Sequence, residues 1–365
     1  MRMRALRFDI PSRNRTHPNQ PPRAADFELA FAGDVDGRAV IDDPSCSLYC
    51  LDPAGRRAIF VQTPPDVDLH YEVFLYQAQH RHATRVLTLS YDDFTRAAHD
   101  RGAPSENIVF LYSVGRCGST LLSRAFHHFD DVLSLSEPDA PMQLLAATSD
   151  PTSEASSLLE STVRLLCKPG GRKRPSHYVL KLRAEGTKLA TTLHRLFPSS
   201  RALFLYRNAV DVVRSYIRAF HPLPAGYLGY HDDPIRFFTE FWLSHVNQYR
   251  AAHEQGVPIR AYRYEDMLRE PHAMLSEIAR ACGTPLTGLE QAMSAFAEDS
   301  QEGSNLARQN VDDKRAFDLG TREQLTARVR AALAKHADHP SLHDPDVILP
   351  GTWLPGHPPP PNRNE

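Results

Sequence analysis

Four apolar runs dominate the middle of the chain: IVFLYSV from Ile108, HYVLKLR from His177, RALFLYRN from Arg201 and PIRAYRYEDM from Pro258. The first has no polar alternation, the pattern of a strand covered on both faces, and the next two resemble it. Segments of helical pattern separate the runs: LLSRAFHHF, GTKLATTLHRLF and DVVRSYIRAF, with HAMLSEIARACG after the last. Strands alternating with helices predict a parallel sheet between two helical layers. A longer helix is expected from Thr239, with Phe241, His245 and Tyr249 on one face. Another is expected from Thr321, where Thr321 and Gln324 form a capping box.

The flanks read differently. Residues before Phe27 are polar and contain proline, the composition of a mobile start. FELAFAG, RAVIDD, SLYCLD and RAIFVQTP then read as short extended runs separated by turns such as DVDGR and DPAGR. YEVFLYQAQHRHA looks helical and RVLTLSYDDF extended. The division that follows is a small N-terminal α+β region at 1–105, an α/β domain at 106–340 and a proline-rich tail at 341–365. The tail, ending PPPPNRNE, is expected to be extended and unpacked.

Composition narrows the function. The 365 residues are 41% hydrophobic, enough for a substantial core, and the formal net charge is −2. No global basic field points to nucleic acid, so any anion site must be local. The five cysteines are scattered, as reduced thiols are. The chain start lacks the apolar stretch of a signal peptide, and no run approaches a membrane span. A soluble cytoplasmic protein is expected.

The segment Ser113-Val114-Gly115-Arg116-Cys117-Gly118-Ser119-Thr120 joins the first apolar run to a helix. Glycines let a backbone turn tightly and bring its N–H groups to an anion, and the helix start adds its positive end. A Walker A loop would carry lysine where Ser119 stands. The cation has moved to Arg116, whose planar fork suits sulfate or phosphate oxygens. Without the lysine, a magnesium partner loses part of its purpose. The competing reading is a plain strand–turn–helix with a surface arginine.

With GRCGSTLLSRAF and FLYRNAVDVVRSYIRAF, the chain resembles sulfotransferases that use 3′-phosphoadenosine-5′-phosphosulfate (PAPS). The resemblance spans roughly 108–310 and is closest in pattern to bacterial, tyrosylprotein and carbohydrate sulfotransferases. It implies a P-loop-like α/β fold. Gly115, Arg116, Cys117, Gly118, Ser119, Thr120 and Leu121 would bind the 5′-phosphosulfate. Arg207, at a strand end, and Ser215, eight residues on, would bind the 3′-phosphate. Asp211 can start the intervening helix, and Ser215 and Arg218 share a helical face. Gln301, Gly303 and Ser304 fall where the family places a loop over the nucleotide. RYEDMLREP resembles a late strand-and-turn of the family and reads equally as packing.

Sulfuryl transfer to a hydroxyl or amine needs a base for the acceptor's proton and a cation at the leaving oxygen. Glu137, in LSLSEPDAP, is the expected base; Asp139, His127 and His128 are rivals. Lys181 lies within an apolar run, where a charge needs a reason, and is the expected transition-state cation beside Arg116. The roles of Arg116 and Lys181 are not separated at this level, and Arg183 lies two residues beyond Lys181. PAPS would be the co-substrate and adenosine 3′,5′-bisphosphate (PAP) the product, with no metal required. Neither His70, His80 and His82 nor Cys46 and Cys50 have convincing metal spacing. Arg172, Lys173 and Arg174 read as a solvated connector. Phe241 and Trp242 read as core or acceptor wall, and HPLPAGYLGYHDDP as acceptor-side chain. The acceptor, whether small molecule, peptide or carbohydrate, is open. The alternatives are a P-loop small-molecule kinase using ATP and a non-catalytic nucleotide-binding module.

Overall fold

The computed structural model describes residues 3–102, 107–145, 150, 153–168, 175–221, 233–307 and 317–356. The four apolar runs and the short segment Val132–Ser136 form a five-stranded sheet in the order β10-β9-β6-β8-β7. Its strands are β6 (Ile108–Ser113), β7 (Val132–Ser136), β8 (His177–Lys181), β9 (Arg201–Tyr206) and β10 (Ile259–Arg263). Every neighbouring pair is parallel. All residues of β6 and β8 are buried, as strands covered on both faces must be. The protein is therefore α/β with a central parallel sheet, as the run pattern predicts. The C-terminal ends of β6, β7, β8 and β9 release the chain at one edge, where α/β sheets bind ligands.

The N-terminal region carries a second five-stranded sheet, entirely antiparallel. It comprises β1 (Arg4–Asp9), β2 (Ala30–Asp36), β3 (Cys46–Asp52), β4 (Arg57–Gln62) and β5 (Arg85–Ser90), in the order β2-β1-β5-β4-β3. One hydrophobic cluster contains Ala5, Phe60 and Leu87 of this sheet together with Phe110 and Leu205 of the other.

Several expectations are corrected. The start is not mobile: β1 lies between β2 and β5, with Met3 and Ala5 buried. Arg13 donates to the His80 carbonyl at 3.1 Å, and Arg15 donates to the Tyr49 hydroxyl at 3.1 Å. Arg4 and Arg7 leave β1 without a continuous apolar run. RAVIDD is not extended; Gly37–Asp42 is helical, because the Asp36 side chain caps it by accepting from the Arg38 amide. Tyr91–Phe94 belong to the helix Tyr91–Arg101, capped by Ser90, rather than to β5. Thr321 and Gln324 do form the capping box read from the sequence.

The tail is packed over much of its length. Leu342, Leu349 and Trp353 are buried. The Trp353 amide donates to the Ala261 carbonyl at 2.9 Å, and Thr352 forms a parallel bridge beside β10. The proline content misleads because it also suits a chain that runs extended along a sheet edge. The final PPPPNRNE lies outside the described residues. Among the described residues, no helix is long and apolar enough to cross a membrane.

Candidate active site

The loop after β6 is held in an unusual backbone shape. Gly115, Arg116 and Gly118 all have positive φ, at 72°, 51° and 83°. At Gly118 a Cβ would stand 2.6 Å from the Tyr264 ring, and at Gly115 it would collide with the Tyr216 hydroxyl. Both glycines are therefore sterically required. Arg116 pays a local strain of about 1–3 kcal/mol, the kind of cost that collects at functional positions. The helix Ser119–His127 follows at once, and its first amides have no intrahelical acceptors.

Arg116 reaches across the fold. Its Nε donates to the Ser215 hydroxyl at 3.0 Å and its Nη1 to the Gln301 side-chain oxygen at 2.9 Å. Both partners are neutral. Burial lowers the pKa of this guanidinium, and neighbouring Arg207 lowers it further against the opposing pull of Tyr216. Among the described residues Arg116 makes no ion pair, and a half-buried cation with neutral hydrogen-bond partners favours an anion beside it.

Arg207 follows β9 directly. Its guanidinium lies 4.5 Å above the Tyr264 ring, its Nη1 donates to the Arg116 carbonyl at 3.4 Å, and its Nε is buried with no hydrogen-bond partner among the described residues. The helix Ala209–Phe220 carries Ser215; Asn208 caps it, not Asp211, which instead pairs with Arg322 at 3.0 and 3.2 Å. Arg116, Ser119, Thr120, Arg207, Ser215 and Arg218 line one cavity of about 310 Å³. Arg214 and Tyr264, not singled out from the sequence, line it too. The Tyr264 signal was present in RYEDMLREP, but only contact with Arg207 gives it meaning.

A second chamber of about 150 Å³ adjoins the first and shares Arg116, Ser119, Thr120, Gln301 and Leu306 with it. Glu137 lines it, just past β7, with a positive φ of 57°. Its amide donates to the Lys181 carbonyl at 2.7 Å. Its carboxylate takes the Lys181 ammonium at 2.5 Å. Lys181 is only 3% exposed, so the pair is a feature of the interior.

Arg183 is not a surface charge. It lies 2.5 Å from Asp139, 3.8 Å from the second oxygen of Glu137 and 4.3 Å above the Tyr76 ring. Asp139 is buried, and burial raises its pKa to about 6 while Arg183 opposes that rise. Unlike Glu137, Asp139 does not line the chamber. His127 and His128 line neither cavity; both rings pack against Tyr71.

Other expected residues separate. Cys117 buries its thiol against the Leu205 carbonyl and Leu121 is core, so only their backbones can face an anion. Gly303 is exposed, and the Ser304 hydroxyl donates to the Gln301 carbonyl; neither lines either of these two cavities. Phe241 lines the second chamber, whereas Trp242 is core and donates to the Arg207 carbonyl. Phe74, Tyr76 and Asn19, which sequence reading left in a separate N-terminal unit, form part of the chamber wall. No local pattern marks them; the topology alone brings them there.

The rest of HPLPAGYLGYHDDP, at 222–232, lies outside the described residues, as do Arg172, Lys173 and Arg174. Among the described residues no cluster could hold a metal ion; His80 packs on Phe27, away from the His70–Asp68 and His82–Glu72 contacts.

Residues 170–288 match the model of the family described as "Sulfotransferase family". That span contains Lys181, Arg207 and Ser215 but not Arg116 or Glu137. The family is the one the two sequence motifs resemble. No protein of curated function matches the chain. Similar solved structures include sulfotransferase STF1 from Mycobacterium tuberculosis H37Rv, at 14% identity, covering 65% of this chain and 81% of that one with a TM-score of 0.44. The sulfotransferase domain of the curacin biosynthetic pathway is 17% identical, with coverages of 62% and 97% and a TM-score of 0.39. Retinol dehydratase in complex with retinol and PAP is 14% identical, with coverages of 68% and 86% and a TM-score of 0.36.

Proposed function

We propose that this protein is a PAPS-dependent sulfotransferase that moves a sulfuryl group to an acceptor hydroxyl. The observation that carries the reading is the joined pair of cavities. One is walled by Arg116, Arg207 and Ser215, and the other holds the Glu137–Lys181 pair.

The residues fit such a donor. Arg207 has an unsatisfied buried donor, Arg116 has only neutral partners, and the Gly118 cradle admits no side chain. Ser215, Arg207 and Arg218 would hold the 3′-phosphate. Arg116, Ser119, Thr120 and the first helix amides would hold the 5′-phosphosulfate. PAPS supplies an activated sulfuryl group, whose sulfur–oxygen bond to the 5′-phosphate breaks as a new one forms to the acceptor oxygen.

Glu137 takes the proton that the acceptor hydroxyl loses and later returns it to water. Its left-handed backbone projects the carboxylate from the end of β7 into the chamber. Lys181 orients that carboxylate and, with Arg116, offsets charge developing on the leaving phosphate oxygen. Lys181 is buried and Arg116 half-buried, where a charge acts more strongly than in water.

The reading is tested by binding PAP in the absence of magnesium, in competition with ATP and Mg-ATP, and by assaying transfer from PAPS. Magnesium-independent PAP binding supports it. Preference for Mg-ATP supports a kinase instead. Tight PAP binding with a biological effect that survives Glu137→Gln supports a nucleotide-binding module.

A further inference from the structure

We infer that Asp139 is a positioning residue for the base: by holding the Arg183 guanidinium, it keeps one carboxylate oxygen of Glu137 open to take the acceptor's proton. The inference rests on the sulfuryl-transfer reading above.

Two acid–base pairs stand in step at the sheet edge. β7 and β8 run parallel, with Ser136 opposite Lys181. Just beyond, Glu137 pairs with Lys181, and two residues further along each segment Asp139 pairs with Arg183. The first pair occupies one oxygen only: the Lys181 ammonium donates to Oε1 of Glu137. Among the described residues Oε2 accepts no hydrogen bond.

Arg183 decides whether Oε2 stays open. The same atom, its Nε, lies 2.5 Å from Oδ1 of Asp139 and 3.8 Å from Oε2 of Glu137. Nε carries a single hydrogen, and 3.8 Å is beyond hydrogen-bond reach. Asp139 is 2% exposed and, among the described residues, has no ion pair except that with Arg183. It lines neither the donor cavity nor the chamber, so its influence on transfer must pass through Arg183. The N-terminal region fixes the guanidinium from another side. Arg183 lies 4.3 Å over the Tyr76 ring, and its Nη1 donates to the Asn19 carbonyl at 3.3 Å.

Removing the Asp139 charge tips this balance. Two cations, Lys181 and Arg183, are then left to one carboxylate, and a short shift of Arg183 closes its gap to Oε2. With Oε1 held by Lys181 and Oε2 by Arg183, Glu137 could take a proton only by breaking a charge-assisted bond.

The test uses water as the acceptor, since water needs no recognition. In PAPS hydrolysis the bond between sulfur and the 5′-phosphate oxygen breaks, and its electron pair leaves with PAP. The water oxygen bonds to sulfur, and its proton passes to Glu137 and on to solvent. Hydrolysis kinetics and calorimetric PAP affinity are measured at neutral pH for the parent, Glu137→Gln, Asp139→Asn and the double variant Asp139→Asn/Arg183→Gln. Asp139→Asn is expected to lower kcat about tenfold or more, part of the roughly 10²–10⁴ that a positioned base supplies. The KM for PAPS and the PAP affinity should stay within about threefold. The double variant should be about fivefold or more faster than Asp139→Asn, because no guanidinium is left to take Oε2. Asp139→Ser removes the same charge and serves if the asparagine variant does not fold. An unchanged kcat in Asp139→Asn, or a double variant no faster than the single, overturns the inference and leaves Glu137 as the base. Equal hydrolysis by Glu137→Gln and the parent overturns the base assignment and the inference with it. Failure to bind PAP, or to turn PAPS over, overturns the sulfotransferase reading itself.

Discussion

Arg116 and Ser215 are 99 positions apart in the chain, yet the Arg116 Nε donates to the Ser215 hydroxyl at 3.0 Å. One residue comes from a glycine turn after β6 and the other from the helix that follows β9. Their contact joins the two ends of the proposed nucleotide site. Ser215→Ala is expected to weaken PAP binding about tenfold and Arg116→Ala by more, since hydrogen bonds to charged groups contribute roughly 1.5–3 kcal/mol. Because the two side chains share a contact, the double variant should lose less than the summed single effects. Calorimetric titration of the four proteins checks this; strict additivity would disconnect the clamps.

Glu137→Gln keeps the shape of the side chain and removes its basicity. Turnover should fall by about 10²–10⁴, the usual contribution of a positioned base, while PAP affinity stays within about threefold. A steady-state assay with PAPS alongside PAP titration separates the two. Unchanged turnover would move the proton transfer elsewhere.

Gly118 and Gly303 share a left-handed backbone, with φ of 83° and 80°. Only Gly118 has a neighbour in the way: the Tyr264 ring stands 2.6 Å from its would-be Cβ, while nothing lies within 4 Å at Gly303. Gly303→Ala should therefore cost only the conformational strain, on the order of 1 kcal/mol. Gly118→Ala should cost more and also weaken PAP binding, because Tyr264 underlies Arg207. Denaturant melts of both variants, with and without PAP, make the comparison.

Asp139 gives a pH signature. Burial raises its folded pKa to about 6, above the ordinary carboxyl value of 3.8. A raised folded pKa means the native state binds the proton more readily than the unfolded chain. The associated stabilisation is present below about pH 4 and is lost as pH rises through about 6. Asp139→Asn should therefore cost roughly 2–3 kcal/mol more at pH 4 than at pH 7. Urea unfolding of both proteins at the two pH values tests the sign. A larger cost at pH 7 would mean that Arg183 outweighs burial.

The central sheet and both arginines were legible because each rests on a local signal: an unbroken apolar run, a glycine pair, a charge at a strand end. The position of Glu137 just past a short strand was legible for a similar reason, since a proline follows it. Phe74 and Tyr76 were not, because nothing local distinguishes an aromatic facing a cavity from one in a core. β1 was hidden because Arg4 and Arg7 interrupt its apolar residues. The tail was misread because proline content resembles that of an unpacked segment. Trp353 shows the difference: it is buried beside Tyr262 and bonded to Ala261. Trp353→Ala should cost about 3–5 kcal/mol, as for other buried aromatics; a thermal melt unchanged from the parent would return the tail to an unpacked segment.

The most direct measurement is calorimetric titration of PAP into the magnesium-free protein, repeated with Arg116→Ala and Arg207→Ala. One joint site for a nucleotide with two phosphates predicts binding without metal and at least a tenfold loss in each variant. Absence of binding, or affinity indifferent to both arginines, would contradict it.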